Sequence, residues 1–342
     1  MSTPYEPPFT LTPRVLTLVA EIGEALGRVA GRAGLPAPPA LRRGNRLRTI
    51  QASLAIENNS LTLEQVTAVI AGKRVLGPPK EIQEVRNAFA AYEAMENWKP
   101  WAAKDLMKAH HLLMAGLVDR PGKFRSGGVG IAQGEKIVHL APPAERVPGL
   151  MNDLLGWLKR TEAHPLIASC VFHYELEFIH PFADGNGRMG RLWQTLILSR
   201  WKPLLAWLPV ETVIRERQSE YYAVLAASDK AGQSTAFIEF LLSALRQALH
   251  EAAVTDQVGD QVGDQVGDQV GDQVSDQVKA LLKCLAKQPL TALACMKKLG
   301  LNHRPTFRKN YLQPALDGGL IERTLPDKPN SSLQRYRLRS RS

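Results

Sequence analysis

The sequence predicts a mainly α-helical protein with one small β-hairpin, followed by a smaller domain in which helices lead into another hairpin. Three observations support this fold class. Apolar residues recur at helical spacing through most of residues 11–250. Glycines and alternating apolar residues are concentrated in residues 119–140, where strands are favoured over helix. Beyond an acidic repeat, residues 278–338 show three helical patterns and then two strand-like ones.

The composition is that of an ordinary soluble protein long enough for two or three domains, with 342 residues, 44% hydrophobic and 22% charged. Its three cysteines, Cys170, Cys284 and Cys295, form no Cys-x-x-Cys pair, which indicates a reducing compartment and neither a disulfide framework nor a zinc site. Glu21 and Glu24 interrupt the first apolar stretch. We therefore expect no signal peptide, no membrane span and a cytoplasmic location.

Glycine and proline breakers such as Gly77-Pro78-Pro79 separate the helical patterns of the first 250 residues. The predicted helices cover residues 11–34, 41–56, 61–71, 80–98, 105–117, 147–160, 166–178, 189–201 and 215–227. Residues 166–178 are largely apolar, which is typical of a buried central helix. Its His173 is predicted to be a packed core residue, and His110 and His111, which lack partners at metal-ligand spacing, are predicted to be packing or surface residues.

The twelve residues from His180 to Arg191, HPFADGNGRMGR, combine groups suited to phosphate chemistry. Gly185 and Gly187 allow backbone amides to approach a ligand closely, and a helix beginning nearby would aim its free amides at an anion. Arg188 and Arg191 are three residues apart, so on a helix they share a face and present two guanidinium groups to one ligand.

Two further residues of this stretch have distinct chemistry. Asp184 is its one hard oxygen ligand and suits Mg²⁺ bound to a polyphosphate, because magnesium prefers one or two carboxylates together with phosphate oxygens. His180 is the one group in the stretch that can take a proton near neutral pH.

This stretch matches the signature of the Fic family, HPFxDGNGRxxR, at every specified position. The resemblance covers roughly residues 40–250 and implies transfer of AMP from ATP to a Ser, Thr or Tyr hydroxyl of a target protein, with release of pyrophosphate. It implies that His180 is the general base and that Asp184 holds Mg²⁺. The nucleotide-binding residues that it implies are Gly185, Asn186, Gly187, Arg188, Gly190, Arg191 and, through the adenine, Tyr222 of the pair Tyr221-Tyr222; core packing of either tyrosine is an equally good interpretation.

Upstream, Ser53, Glu57 and Asn58 match the inhibitory motif (S/T)xxxE(G/N) that autoinhibited Fic proteins of the second class carry on a helix. A carboxylate placed against the second arginine of the cradle would occupy the position that a γ-phosphate needs. The alternative is that Glu57 is an exposed residue at a helix end.

Residues 119–134 are rich in glycine, and we predict two short strands at residues 129–131 and 136–140. In Fic proteins a hairpin flap follows a segment that resembles Gly122-Lys123-Phe124-Arg125, and it aligns the target by strand addition. An exposed edge strand can hold an extended segment of another protein without reading much of its sequence.

We divide the chain into residues 1–100, an N-terminal helical region with the inhibitory helix; 101–250, the Fic core; 251–278, a linker; and 279–342, a winged-helix domain. In residues 256–278 the unit Asp-Gln-Val recurs six times at a period of four. Because its glycines disfavour helix, we interpret the repeat as a flexible acidic linker. The alternative is a valine-lined helix that mediates homo-oligomerisation.

The net charge of +10 comes from the C-terminal end, where residues 279–342 contain 14 Lys and Arg against 3 Asp and Glu. Three predicted helices and a hairpin over these residues are typical of a winged helix, and the charge suits contact with DNA phosphates. The candidate DNA-contacting residues are Arg304, Thr306, Arg308 and Lys309 on the recognition helix and Lys328 and Arg335 on the wing. Binding to proteins, or dimerisation, is the alternative.

Three other functions are compatible with the sequence. The same pocket could remove AMP from a modified protein, with Glu57 orienting a water molecule. The chain could instead be a DNA-binding regulator whose Fic domain senses a nucleotide. Other phosphate-containing groups could replace AMP in the transfer.

Overall fold

Helices make up most of the chain in a computed structural model, which describes residues 4–33, 39–128, 130–133, 136–263, 276–286, 288–299, 301, 307–317, 320–324 and 334–338. This confirms the predicted mainly α-helical fold. The chain divides into two compact units, Met1–Ala253 and Val254–Ser342. Within the described ranges, no helix is both long enough and apolar enough to cross a bilayer.

The helices that begin in the first unit are α1 (Pro13–Ala33), α2 (Pro39–Ile56), α3 (Leu63–Ile70), α4 (Pro79–Ala94), α5 (Ala103–Met114), α6 (Val147–Arg160), α7 (Pro165–Ile179), α8 (Asn186–Trp201), α9 (Val210–Glu216), α10 (Gln218–Ala231) and α11 (Thr235–Gly263). Short 3₁₀ turns cover Met95–Asn97, Ala144–Arg146 and Pro203–Trp207.

Helices α7 and α8 are buried over most of their length and lie at the centre of the first unit. Proline at position 165 suits the first turn of α7, because its missing N–H would have had no partner there. Phe172 of α7 stacks on Trp193 of α8 with ring centroids 6.4 Å apart. The two helices approach closely at Gly190, where an added Cβ would lie 2.6 Å from Cδ2 of His173. The predicted pair of central helices is therefore present.

Two short strands, β1 (Gly130–Gln133) and β2 (Lys136–Leu140), pair antiparallel between α5 and α6. Gly130 faces Leu140 and Gln133 faces Lys136, with a shift of register between Ile131 and Ala132. The predicted hairpin is confirmed at the level of the backbone.

Helix α11 continues through Gly263 and so includes the first two Asp-Gln-Val units of the repeat. Here the structure differs from the prediction of a flexible linker over residues 251–278. Extending an existing helix adds one hydrogen bond for each residue that is fixed, which offsets the cost of about 1 kcal/mol for a glycine such as Gly259. The rest of the repeat, residues 264–275, lies outside the described residues.

The second unit has its own hydrophobic core, which includes Leu281, Phe307 and Ile321. Its helices are α12 (Asp276–Leu285), α13 (Ala292–Lys298) and α14 (Gln313–Asp317), the last preceded by a π-helical turn at Arg308–Leu312. The strands β3 (Ile321–Arg323) and β4 (Tyr336–Leu338) pair antiparallel. Helices thus precede a strand pair, and the winged-helix class of this unit stays a prediction.

The basic residues proposed to contact DNA are only partly described. Arg308 and Arg335 are exposed. Arg304, Thr306, Lys328 and the side chain of Lys309 lie outside the described residues.

Candidate active site

The chain reverses direction between α7 and α8, and two residues of this turn have left-handed backbone dihedral angles. His180, which ends α7, has φ 49° and ψ 61°, and Gly185, which precedes α8, has φ 85°. Glycine adopts this conformation readily, whereas a histidine does so at a cost and must be held there. An added Cβ at Gly185 would lie 2.6 Å from Sδ of Met114 on α5, so the methionine side chain would have to shift as well.

A cavity of about 260 Å³ opens at this junction. Residues from the junction, from the end of α2 and from α10 form its walls. They are Glu57, Glu177, His180, Ala183, Asp184, Gly185, Asn186, Gly187, Arg191, Tyr221, Tyr222 and Leu225.

The side chain of Asn186 holds the loop in shape. Its Nδ2 donates to the carbonyl of Phe182 at 2.9 Å, and its Oδ1 accepts from the backbone N–H of Phe182 at 3.0 Å. These two bonds hold the side chain of Asn186 against the loop and so fix the backbone that lines the cavity.

His110 of α5 supports the same loop from behind. Its ring stacks on Phe182 with centroids 3.7 Å apart, its Nε2 lies 3.0 Å from the carbonyl oxygen of Asp184, and its Nδ1 accepts from the N–H of Gly122 at 2.8 Å. Burial lowers the pKa of His110 to about 4, so the ring is neutral and its proton is on Nε2. The predicted packing role of His110 agrees with this position.

The N-terminus of α8 faces the cavity through Gly185, Asn186 and Gly187. The first helical bond of α8 runs from the N–H of Met189 to the carbonyl of Gly185 at 3.0 Å. The amides of residues 186–188 therefore have no partner within the helix. Such an end attracts an anion, because free N–H groups and the helix dipole both favour negative charge.

Arg188 lies beside this helix end, and it is not among the residues that line the cavity. Its Nη2 donates to Oδ1 of Asp184 at 3.0 Å, and its Nη1 donates to Oε1 of Glu84, on α4, at 3.2 Å. The other oxygen of Glu84 accepts from Nδ2 of Asn59 at 2.8 Å. In this state Arg188 is thus held by two carboxylates.

Arg191 lines the cavity and is bound to the end of α2. Its Nε donates to Oγ of Ser53 at 2.9 Å, and its Nη2 donates to the carbonyl of Ser53 at 2.9 Å and to Oε1 of Glu57 at 2.7 Å. Burial opposes the charge of Arg191, but the Glu57 carboxylate outweighs it and the pKa of the guanidinium lies above its ordinary value. Sequence reasoning had placed Glu57 against this second arginine.

Gly187 makes room for the glutamate. A Cβ at this position would collide with Oε1 of Glu57 and would lie 3.1 Å from Nη1 of Arg191. The same glycine that opens the helix end to an anion from solution therefore also admits the carboxylate of the chain itself.

Asn58 lies in the turn that ends α2. It has φ 66°, its N–H donates to the carbonyl of Ala55 at 3.0 Å, and the N–H of Asn59 donates to the carbonyl of Leu54 at 3.1 Å. This is the Schellman arrangement, in which glycine or asparagine is favoured at the left-handed position. The geometry accounts for the choice of Gly or Asn after the glutamate of the motif.

The two tyrosines of α10 have different surroundings. Tyr221 is buried, and its hydroxyl lies 3.2 Å from Nε2 of His173, whose Nδ1 lies 2.8 Å from Oε1 of Gln194. Burial lowers the pKa of His173 to about 3, so its ring is neutral and it is a packed core residue as predicted. Tyr222 is 41% exposed and lines the cavity.

Gly190 was predicted to contact the nucleotide, and the structure gives it another role. It faces His173 across the α7–α8 contact and is not among the residues that line the cavity. Gly190 lies against α7, where an added Cβ would meet Cδ2 and Nε2 of the buried His173. Its missing side chain serves helix packing.

Glu177 and Leu225 line the cavity and were missed by sequence reasoning. Glu177 lies three residues before His180, a spacing that puts both on one face of a helix and could have identified it. Leu225 lies three residues after Tyr222 on the predicted helix 215–227, so the same spacing could have identified it. Arg125, which was noted only as part of a resembling segment, binds the carbonyl of His180 at 2.7 Å.

The protein is thus mainly helical, with a cavity in which the N-terminus of α8 lies near Arg191 and Arg191 is paired with a carboxylate of the same chain. Residues 100–198 match the Fic/DOC family, and residues 276–339 match the C-terminal domain of filamentation induced by cAMP protein Fic-like. A crystal structure of a Fic family protein from Desulfovibrio desulfuricans G20 is 61% identical, covers 99% of both chains and superposes with a TM-score of 0.72. The chain belongs to the Fic family.

More distant relatives share part of the chain. "Protein adenylyltransferase Fic" of Nematostella vectensis is 28% identical over 204 residues, which are 56% of this chain and 45% of that protein. The chain thus spans less than half the length of this curated relative. Fic-1 from C. elegans (residues 134–508) has the same fold, with a TM-score of 0.57, 22% identity and 72% of each chain covered.

Proposed function

We propose that this protein is an adenylyltransferase that moves AMP from ATP to a Ser, Thr or Tyr hydroxyl of a target protein, and that the structure is its autoinhibited state. One observation carries the proposal. A single cavity brings together a histidine, the free amides of a helix N-terminus and a buried arginine that Glu57 occupies. Relatives that match more than half of this chain are named "Protein adenylyltransferase Fic", which supports the same activity.

The reaction follows from the chemistry of these groups. His180 takes the proton from the target hydroxyl, whose oxygen attacks the α-phosphorus of ATP as the bond to the β-phosphate oxygen breaks. General-base assistance of this kind contributes about 10² to 10⁴ in rate. The amides of Asn186 and Gly187 stabilise charge on the phosphates, and Arg191 binds the pyrophosphate that leaves. These groups act mainly through position and charge.

The residues present fit a magnesium ion bound together with ATP. The side chain of Asp184 lines the cavity and is 46% exposed, so an oxygen is available to a ligand. No group of three His, Cys, Asp or Glu suited to a metal occurs in the part of the chain that the structure describes, which suits an ion completed by phosphate oxygens and water. When bound, Mg²⁺ would neutralise charge between the α- and β-phosphates.

Inhibition follows from the position of Glu57. A γ-phosphate needs Arg191, and Arg191 cannot serve two anions in one place. While Glu57 occupies the guanidinium, ATP binds in a pose in which the α-phosphate is turned away from the hydroxyl that attacks it. In this proposal Tyr222, which is exposed at the cavity wall, stacks on the adenine, an interaction worth about 1 to 3 kcal/mol for each stacked base.

A second activity is favoured by the same carboxylate. Glu57 and His180 line one cavity, so a water molecule held by Glu57 could attack the phosphorus of a protein-bound AMP. The same cavity would then catalyse hydrolytic removal of AMP from a modified protein. Incubating an AMP-modified target with the protein and measuring release of AMP tests this directly.

We further propose that residues 279–342 bind DNA and that the protein is cytoplasmic. Homo-oligomerisation through the Asp-Gln-Val repeat is the alternative to a monomer. The support for DNA binding is the excess of 14 Lys and Arg over 3 Asp and Glu in these residues. Binding to duplex DNA should fall steeply with salt, because it depends on release of phosphate counterions. Absence of binding by the full chain at low salt would favour a protein partner.

Transfer of label from α-labelled ATP to protein tests the main proposal. The Glu57→Gly variant should label itself or an added target, and the additional change His180→Ala should abolish labelling while ATP binding is kept. ATP binding is measured by calorimetry and folding by thermal melt. Labelling that survives His180→Ala, in a variant that is folded and binds ATP, would remove the histidine from its proposed role.

A further inference from the structure

Arg125 lies outside the signature motif and is nonetheless bonded to the residue that carries the proposed base. Its Nε donates to the carbonyl oxygen of His180 at 2.7 Å, and its Nη2 lies 3.4 Å from the carbonyl oxygen of Ile179. Its own backbone N–H donates to the carbonyl of Pro181 at 2.9 Å. Three successive carbonyls around His180 are therefore held by one residue.

These bonds matter because of the conformation of His180. It ends α7 with φ 49°, a left-handed conformation that a side chain with a Cβ adopts only under constraint. The last carbonyls of a helix have no helical partner, and a cation near them is favourable. Since the peptide planes on both sides of His180 are fixed by Arg125, the direction in which its imidazole leaves the backbone is fixed as well.

The same guanidinium holds both ends of the β1–β2 hairpin. Its Nη1 donates to the carbonyl of Gly127, before β1, at 2.8 Å, and its Nη2 donates to the carbonyl of Pro142, after β2, at 2.5 Å. Arg125 is 6% exposed, and within the described chain its side-chain hydrogen bonds all go to backbone carbonyls. Arginine suits this task, because its rigid planar fork carries five donors, whereas lysine offers three on one atom.

We propose that Arg125 is a positioning residue that sets the orientation of His180 and couples it to the hairpin. A target segment that docks on the hairpin then moves or steadies the same guanidinium that holds the base. This inference rests on the proposed function, in which His180 is the base. Arg125 itself need not touch ATP or the target.

The test compares Arg125→Lys with Arg120→Lys, both in the Glu57→Gly background. Arg120 is a matched control, since it is an exposed arginine of the same segment whose Nη1 lies 3.5 Å from Oγ of Ser126. We expect Arg125→Lys to lower kcat for AMP transfer about 100-fold, the effect of misplacing a catalytic group by about 1 Å. The KM for ATP and the thermal melt should stay close to those of the parent, and Arg120→Lys should have no effect.

A second readout does not depend on transfer. Diethylpyrocarbonate modifies accessible neutral histidines, and its rates at His180 and at the exposed His111 are compared by peptide mass spectrometry within one sample. Arg125→Lys should change the rate at His180 several-fold and leave that at His111 unchanged. Amides of residues 127–142 should also exchange faster with deuterium.

The outcomes separate the two proposals. If the Glu57→Gly parent transfers no label, the proposed function fails, while the reactivity of His180 and the hairpin exchange still decide the role of Arg125. Transfer by Arg125→Lys within a few-fold of the parent, with unchanged reactivity of His180, would overturn the inference. Loss of ATP binding together with a collapsed thermal melt would also overturn it, because Arg125 would then be a general structural residue.

Discussion

Nη2 of Arg191 lies 2.7 Å from Oε1 of Glu57, and the two side chains differ greatly in exposure, at 1% and 30%. Because a buried charge that loses its partner is destabilising, an anion beside Arg191 is favoured. The glutamate is half-open to solvent and can leave without that cost. Under the proposed function, the γ-phosphate of ATP and Glu57 therefore compete for one guanidinium, and Glu57 is the more exposed member of the ion pair.

Replacing Glu57 should raise AMP transfer. A hydrogen bond between charged groups contributes about 1.5 to 3 kcal/mol, so we expect Glu57→Gly to increase label incorporation about 10- to 100-fold. Glu57→Gln, which keeps the shape and removes the charge, should give an intermediate gain. The exposed Glu64→Gln is the control. Equal labelling by wild type and Glu57→Gly would mean that Glu57 does not inhibit.

The gain should depend on Arg191. In the double variant Glu57→Gly, Arg191→Ala the γ-phosphate has lost its partner, so most of the increase should disappear. Arg191→Ala alone should change the low activity of the wild type much less, since the arginine is already occupied there. This non-additivity is expected of groups in direct contact. Label incorporation by all four proteins measures it, and additive effects would place the inhibition elsewhere.

The turn that ends α2 should tolerate glycine better than alanine at position 58. Because Asn58 has φ 66°, Asn58→Ala should reduce the free energy of unfolding by about 1 kcal/mol, while Asn58→Gly should be tolerated. Loosening this turn should also weaken the hold of Glu57 on Arg191 and raise basal labelling in Asn58→Ala. Urea unfolding and the labelling assay check both effects. Equal stability of the two variants would show that the turn rearranges freely.

The helices, the hairpin and the pairing of Glu57 with Arg191 could be predicted from the sequence. Each depends on a local residue pattern or on a motif with fixed spacing. Apolar residues on all faces of α7 predict burial without any knowledge of its neighbours. The pairing of Glu57 with Arg191 joins residues 134 positions apart, and it was expected only because Ser53, Glu57 and Asn58 match the inhibitory motif.

Other features depend on contacts between distant segments and could not be predicted. Gly190 looked like part of the phosphate loop, and only the packing of α7 on α8 shows that it makes room for His173. Glu84 lies 104 positions from Arg188, and nothing in the spacing joins them. The predicted flexible linker is wrong near Gly259, where α11 continues. The glycine content of the repeat disfavours helix locally, but the long helix that precedes it is extended through these residues.

The contribution of His110 to the stability of the first unit should be lost in mild acid. Its folded pKa is about 4, lowered mainly by burial, whereas an unfolded histidine has a pKa of about 6.5. The unfolded chain therefore binds the extra proton first, and the stabilisation, fully present above pH 6.5, is lost as the pH falls toward 4. A pKa lowered by this much contributes at most about 3 kcal/mol to the free energy of unfolding.

His110→Gln removes this titration and should flatten the loss of stability between pH 6.5 and 4, although the variant is less stable at pH 8 because the stack on Phe182 is gone. Part of the slope should remain, since burial also lowers the pKa of His173, to about 3. His111→Gln, an exposed neighbour, is the control and should leave the slope unchanged. Urea unfolding at several pH values measures each slope. If His110→Gln and wild type lose stability in parallel, then the ring is not held neutral between Gly122 and Asp184, and the loop that carries Asp184 does not depend on its tautomer.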